Sequence, residues 1–246
     1  MKKLTESGYE QYWIDTHENT KEDLASVCFP GKPLYFNLFF HRMQRYALKS
    51  YIRRERISLK GKKVLDIGCG RGRWLCFYGG EHHAIVRGID LSEYAVQICN
   101  RKGFSVCQGS IAELPFKDGY FDFVNSITVL MHLPYELKEK SLGEISRVLE
   151  KGGKAILIEG TWQDPAGHVY SWTVREWERK FNEHGMQLLH QSAHCFNWFR
   201  TKLPFFLPFR DFIAIWLDYP LEYGLMRYFY GMGSDVALQR LMVFEK

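Results

Sequence analysis

Apolar and polar residues follow two rhythms along this chain, and the change between them comes at Lys63. Within residues 38–57, the apolar positions Phe39, Met43, Tyr46, Ala47 and Tyr51 recur mostly three or four apart with basic residues between them. That spacing predicts one amphipathic helix with a charged outer face. The residues before it are polar with interspersed aromatics and end in the breaker-rich Phe29-Pro30-Gly31-Lys32-Pro33, which marks off an N-terminal cap segment. Beyond Lys63, short runs rich in β-branched residues at 64–67, 85–89, 105–108, 121–126 and 155–159 alternate with helical stretches. This is the order of a parallel sheet covered by helices on both faces. Ser92 caps a helix ending near Asn100 and Gly103, residues 135–149 carry apolar positions at helical spacing, and Thr173-Val174-Arg175-Glu176 has the form of a capping box whose helix stops near Gly185. Further strands are predicted at 186–193 and 237–244. Between them, 196–235 is densely aromatic and broken by Pro204, Pro208 and Pro220. The pattern divides the chain into a helical cap (1–60), an α/β domain (61–195), an aromatic insertion forming a lid or acceptor pocket (196–235) and a last strand returning to the sheet (236–246).

Length and composition narrow this picture without redirecting it. At 246 residues the chain suits one α/β domain with appended segments. Its 46% hydrophobic and 25% charged residues are ordinary for a globular protein, while the 16% aromatic share is high and clusters toward the C-terminal end. The net charge of +5, from 33 basic against 28 acidic residues, is scattered, so it permits nucleic acid without arguing for it. Met1-Lys2-Lys3-Leu4 is followed by polar residues, which predicts no secretory signal and a cytoplasmic protein. The most apolar stretch, 203–217, contains Pro204, Pro208, Arg210 and Asp211 and falls short of the roughly 20 apolar residues of a membrane span. The six cysteines, Cys28, Cys69, Cys76, Cys99, Cys107 and Cys195, form no CxxC pair and no zinc spacing with histidine, so no metal site is expected and reduced thiols are.

The candidate chemistry begins in Val64-Leu65-Asp66-Ile67-Gly68-Cys69-Gly70-Arg71-Gly72, where a buried strand enters a turn whose glycines let backbone approach a ligand closely. Asp90, in Gly88-Ile89-Asp90-Leu91, ends the next strand about 20 residues on, where a carboxylate can accept hydrogen bonds from ribose hydroxyls. A dinucleotide fingerprint would need glycine where Arg73 stands, which makes NAD or FAD the weaker reading.

These residues closely resemble motif I of the class I S-adenosylmethionine-dependent methyltransferases, and the likeness continues in order over roughly residues 60–160. Gly109-Ser110-Ile111-Ala112-Glu113-Leu114-Pro115-Phe116 is similar to the loop that receives adenine in that family. Phe121-Asp122-Phe123-Val124-Asn125-Ser126, followed by Val129-Leu130-Met131-His132-Leu133, is similar to its fourth strand and exit. Arg147-Val148-Leu149-Glu150-Lys151-Gly152-Gly153 resembles the turn before strand five in the type 11 subgroup. The resemblance implies a doubly wound, mostly parallel seven-stranded Rossmann-like sheet with S-adenosylmethionine as cofactor and S-adenosylhomocysteine as product. It implies cofactor contacts from Asp66, Gly68, Cys69, Gly70, Gly72, Asp90, Leu91, Ser110, Ile111, Ala112, Ser126 and Ile127. One departure stands out: the family usually has an acid where Ser110 stands, so adenine contact there falls to backbone and hydroxyl. Asp66 has a second reading, in which it satisfies loop amides.

A sulfonium methyl is already activated, so the protein mainly aligns the partners, and a base is needed only for hydroxyl-type acceptors. Asn125-Ser126-Ile127-Thr128 lacks the Asn/Asp-Pro-Pro-aromatic run of enzymes that methylate base or amide nitrogen. For a hydroxyl the candidate general bases are His132, just past strand four, and His168, in the loop after strand five; His132 also has a packing reading. His184 and His194 read as structural. Phe205, Phe206, Phe209, Phe212, Trp216 and Tyr219 suit a hydrophobic small-molecule, glycan or lipid-linked acceptor, and a peripheral membrane contact, better than a phosphate-rich one. The N-terminal aromatics Tyr9, Tyr12 and Trp13 can close over a sulfonium. Two other function classes stay open: a non-catalytic binding module on the same fold, and an RNA methyltransferase.

Overall fold

The structure is a computed structural model that describes residues 6–20, Leu24, Ser26, 34–160, 169–196, 210–232 and 237–246. Seven strands form a single sheet: β1 (Lys63–Ile67), β2 (Ile85–Asp90), β3 (Val106–Gln108), β4 (Phe121–Ile127), β5 (Leu149–Gly160), β6 (Gln187–His194) and β7 (Gln239–Glu245). Their order is β3-β2-β1-β4-β5-β7-β6. The first five are parallel, while β7 pairs antiparallel with both β5 and β6. Strand order reverses between β1 and β4, and Asp66 sits in register with both Gly88 of β2 and Asn125 of β4. The carboxyl ends of these strands therefore meet at a topological switch point, where open α/β sheets bind ligands.

Strand residues alternate between two cores because side chains of a pleated strand point to opposite faces. Leu65, Val124, Leu157, Met242 and Phe244 enter one core with Leu142, Ile145, Trp177 and Phe181. Val64, Phe123, Ile156, Leu241 and Val243 enter the other with Phe39, Met43, Leu48 and Phe77. Helices α5 (Tyr135–Val148) and α6 (Val174–Glu183) cover the first face, and α2 (Leu34–Arg54) covers the second. Also present are α1 (Glu6–Asn19), the short α3 (Arg73–Leu75) continuing as a π-helical stretch over Cys76–Glu81, α4 (Glu93–Arg101) and α7 (Arg210–Tyr228).

Most expected elements fall within a few residues of their predicted bounds, but β5 begins at Leu149 instead of 155, because Leu149 already pairs with Phe121 ahead of a register shift in β4. Helix α2 starts and stops one turn earlier than its periodicity suggests. Arg56 turns left-handed at φ 52, and Ile57 N closes back on Ile52 O at 2.9 Å, a six-residue C-terminal closure. The aromatic insertion contains α7, which passes through Pro220. Tyr219 and Tyr223 of α7 meet Phe39 and Tyr46 of α2 at ring distances of 5.1 and 4.6 Å, while Phe229, just beyond α7, meets Phe196 at 5.3 Å. A helix contacted from two sides loses the single apolar stripe by which periodicity is recognised. At α6 the capping box is complete: Thr173 Oγ1 accepts from Glu176 N and the Glu176 carboxylate accepts from Thr173 N. Among the described residues no helix is long and apolar enough to cross a membrane. The loop 161–168 with His168, and residues 197–209 with Phe205, Phe206 and Phe209, lie outside the described residues.

Candidate active site

The turn after β1 is built from left-handed backbone: Gly68, Gly70 and Gly72 have φ of 60, 51 and 87. Space compounds the requirement at Gly68, where a Cβ would lie 2.6 Å from Val129 Cγ1. Gly70 N donates to Asp90 Oδ2 at 2.7 Å, and Ser92 N donates to Asp90 Oδ1 at 3.0 Å. Two backbone amides thus hold the carboxylate at the end of β2, where it lines a cavity together with Asp66, Gly68 and Arg73.

Asp66 lies at the inner end of that cavity and is 1% exposed. Its Oδ1 accepts from Asn125 Nδ2 at 2.6 Å, and Asn125 Oδ1 in turn accepts from the Tyr78 hydroxyl at 2.9 Å. Oδ2 is buried with no hydrogen-bond partner among the described residues. The loop-amide reading of Asp66 fails, because Gly70 N is taken by Asp90 and the Asp66 carboxylate binds a side chain. Burial pushes its pKa up to about 7, against the opposing pull of the Asn125 hydrogen bond and of Arg73. An unsatisfied buried acceptor of this kind is costly until a cationic donor fills it. The ammonium of a methionine moiety matches that need, and Arg73 on the same cavity wall matches its carboxylate.

Helix α1 closes the cavity. Tyr9, Trp13 and His17 recur every four residues, share one helix face and all line the cavity. The Arg71 guanidinium donates to His17 O at 2.5 Å and Thr20 O at 2.6 Å, tying the carbonyl end of α1 to the glycine turn. His17 Nε2 stands 4.0 Å from Asp90 Oδ1; burial lowers the imidazole pKa, and the Asp90 charge opposes that shift.

The far wall is the exit of β4, where Thr128 adopts φ 57, a strained conformation for a β-branched residue of the kind that persists at functional sites. The 3-10 turn Leu130–His132 follows and carries His132, whose ring meets Trp13 edge-on at 4.7 Å. This turn hangs on Glu159, a fully buried carboxylate that accepts from Leu130 N at 3.1 Å, Met131 N at 3.0 Å and the Ser126 hydroxyl at 3.1 Å. Burial raises the Glu159 pKa to about 7, opposed by those hydrogen bonds and by Lys138. Lys138 is itself buried; its ammonium lies 4.6 Å above the Trp172 ring and donates to Tyr170 O, while Tyr170 N donates to Met131 O at 2.7 Å.

Of the residues expected at a cofactor site, Asp66, Gly68, Cys69, Asp90, Leu91, Ile111 and Ile127 line the cavity, as does the base candidate His132. Gly70 and Gly72 shape the turn. The Ser126 hydroxyl is engaged with Glu159, and the Ser110 hydroxyl accepts from Ala112 N at 3.2 Å, so both are held by their own neighbourhood. His17, Ser26, Arg73, Trp74, Thr128 and Val129 also line the cavity and were not among the expected contacts. The spacing of four between Tyr9, Trp13 and His17 was a signal for His17, whereas the backbone angle of Thr128 leaves no trace in composition or period.

Residues 65–157 match the family described as a methyltransferase domain. A fatty-acid O-methyltransferase of Mycolicibacterium smegmatis is 29% identical over 157 residues, which are 61% of this chain and 54% of that protein. A tRNA (carboxymethyluridine(34)-5-O)-methyltransferase of Arabidopsis thaliana is 31% identical over 125 residues, 48% of this chain and 30% of that one. The chain therefore spans about half or less of these relatives' lengths. The crystal structure of geranyl diphosphate C-methyltransferase from Streptomyces coelicolor A3(2), in complex with Mg2+, geranyl diphosphate and S-adenosyl-L-homocysteine, superposes with a TM-score of 0.64 at 15% identity, covering 96% of this chain and 97% of that one, a likeness of fold. With the glycine turn, the Asp66 and Asp90 carboxylates and the 3-2-1-4-5-7-6 sheet in place, residues 65–157 form a type 11 methyltransferase domain on the class I S-adenosylmethionine-dependent methyltransferase fold.

Proposed function

We propose that this protein transfers the methyl group of S-adenosylmethionine to a hydroxyl-type oxygen of an apolar small-molecule or lipid-linked acceptor in the cytoplasm. The observation that carries the donor side is Asp66 Oδ2, a buried acceptor without a partner on the wall of a cavity closed by the glycine turn and Asp90. Asp66 takes the ammonium, Arg73 the carboxylate and Asp90 the ribose hydroxyls, while Leu91 and Ile111 flank adenine. The bound cofactor supplies a methyl already activated by its sulfonium. The chain's part is to align an oxygen with that methyl, to exclude water beneath Tyr9 and Trp13, and to accept the hydroxyl proton at His132. The apolar acceptor is supported by the walls, which carry Tyr9, Trp13, Trp74, Ile127 and Val129, and by the fatty-acid relative.

Calorimetric titration with S-adenosylhomocysteine, paired with transfer of labelled methyl from S-adenosylmethionine to pooled fatty and hydroxylated lipids, tests both halves. Binding plus labelled ester or ether is expected. Absence of S-adenosylhomocysteine binding to the folded protein removes the donor assignment. Binding with no transfer to any pool favours the non-catalytic module, and transfer to tRNA with steep salt dependence favours the activity named for the plant relative.

A further inference from the structure

The outer side of α2 carries Arg42, Tyr46, Lys49 and Arg53 at spacings of four, three and four, and Arg54 and Arg56 extend the cluster. All five cations are exposed. Helix α7 lies alongside. The Arg42 guanidinium donates to the Tyr219 hydroxyl at 3.4 Å, the Tyr46 and Tyr223 rings are 4.6 Å apart, and Arg54 stacks 4.0 Å over Tyr230, just past the end of α7. A cationic stripe and an aromatic stripe are thereby locked side by side. From α7 two large side chains stand out in solvent, Trp216 at 69% and Tyr228 at 72% exposed. Among the described side chains, the acids of these elements are Glu81, which pairs with Arg45 and Lys49, Glu55, which accepts from the Tyr230 hydroxyl at 2.9 Å, and Glu222, which is buried and accepts from Phe196 N, so positive charge is in excess among them.

We infer that the α2–α7 surface docks on an anionic lipid bilayer. Arginine and lysine heads reach lipid phosphates while their stems cover apolar surface, and Trp and Tyr are the side chains that settle in the headgroup layer. A phosphate backbone alone would use the cations but leave the apolar area of Trp216 and Tyr228 in water, which favours lipid over nucleic acid. The surface also adjoins the cavity: from α2, Gln44 Oε1 accepts from Arg73 at 3.0 Å and the His41 ring lies 5.6 Å from Trp74, and both Arg73 and Trp74 line the cavity. Docking itself does not depend on methyl transfer. Delivery of a lipid-linked acceptor to the cavity from the docked face does rest on the proposed function.

The test is co-sedimentation of the full chain with vesicles of phosphatidylcholine, alone or mixed with phosphatidylglycerol. Binding to the mixed vesicles, weakened by salt and at least about tenfold weaker on phosphatidylcholine alone, is expected. Arg53→Gln with Arg56→Gln lowers affinity for the mixed vesicles by about 25-fold, at roughly fivefold per charge. Trp216→Ser lowers it while leaving the salt dependence in place. S-adenosylhomocysteine titration of each variant at the wild-type affinity verifies folding, and failure of the wild type in that titration bears on the donor site alone. Equal binding to both vesicle types, no binding to either, variants that match the wild type, or displacement from vesicles by a short RNA duplex that binds more tightly would each overturn the assignment.

Discussion

Asp66 concentrates the tension at the residue scale. Its carboxyl is buried among strand ends with one oxygen on Asn125 and the other without a partner, and its pKa sits near 7 instead of its ordinary 3.8. A cationic ammonium would lower that pKa, so cofactor binding and ionisation of Asp66 are linked. Affinity for S-adenosylhomocysteine is therefore expected to fall as pH drops through about 7, because protonated Asp66 must first lose its proton. Asp66→Asn keeps the volume and removes the charge; it should weaken binding at least about tenfold, the loss of one charge-assisted contact, and flatten the pH dependence. Titration calorimetry across that range checks both, and an unchanged pH profile in the variant would remove Asp66 from the ammonium role. Gly68 makes a steric counterpart. With φ 60 and a Cβ that would meet Val129 at 2.6 Å, Gly68→Ala should destabilise the fold by about 1–3 kcal/mol and displace the β4 exit, measurable as a lower denaturation midpoint together with weaker S-adenosylhomocysteine binding.

Elements join these residues into a site, and α1 is the one whose attachment is most local. Arg71 is 5% exposed and binds two carbonyls at the end of α1, groups that a helix cannot satisfy internally. Arg71→Ala strips both contacts, worth ~1–3 kcal/mol together. Amide exchange in residues 9–17 should then accelerate by about tenfold or more while the strands keep their protection; unchanged exchange in α1 would mean that Tyr9 and Trp13 hold the helix by packing alone. The same element shows what was legible beforehand. The alternation of strands and helices and the glycine turn followed from short buried runs and glycine positions, since strand burial and left-handed turns are imposed locally, whereas the seven-stranded sheet came with the family resemblance and its strand order only with the structure. Asp90 was readable because it ends a strand, and Asp66 because the family resemblance puts an acid beside the glycine turn. What escaped notice depends on contacts between distant elements: the role of Arg71 toward α1, the hold of Glu159 on the turn carrying His132, and α7, contacted from both sides and crossed by Pro220. Ser110 lies in the loop after β3 and Ser126 in β4, yet local partners engage their hydroxyls, a competition that a motif does not display.

At the scale of the whole molecule, two fully buried carboxyls and the lowered histidines pull the pH response of the ligand-free fold in opposite directions. Asp66 and Glu159, ordinarily at 3.8 and 4.5, are both raised to about 7, each chiefly by burial. Folding therefore favours their protonated forms. That contribution is complete below their unfolded values and is lost as pH rises through 7, because the unfolded chain ionises freely while the folded one resists. The surface carboxylates of Asp122, Glu144 and Glu176 are shifted the other way, held below their ordinary values by hydrogen bonds to Lys62, Arg147 and Thr173. Their contribution is present above their unfolded values and is lost as pH falls through the lowered ones. Burial also lowers the imidazoles of His41 and His194, to about 4 and about 3, so their contribution is lost as pH falls below the ordinary 6.5 and opposes that of the buried carboxyls over the same window, while above about 7 the carboxyl contribution levels off. Bound cofactor reverses the decline on the Asp66 branch, since an ammonium beside the carboxylate stabilises the charged form. Thermal melts between about pH 5.5 and 8.5 should show the midpoint of Asp66→Asn pulling ahead of the wild type up to about pH 7 and staying ahead above it, with the gain from S-adenosylhomocysteine in the wild type growing over the same rise. Asp66→Asn should raise the free midpoint at the alkaline end, by roughly 1–3 kcal/mol of recovered stability, while abolishing most of the ligand-induced gain. A variant that gains no stability there, or a ligand shift independent of pH, would mean that the buried carboxylate is satisfied by something other than the cofactor.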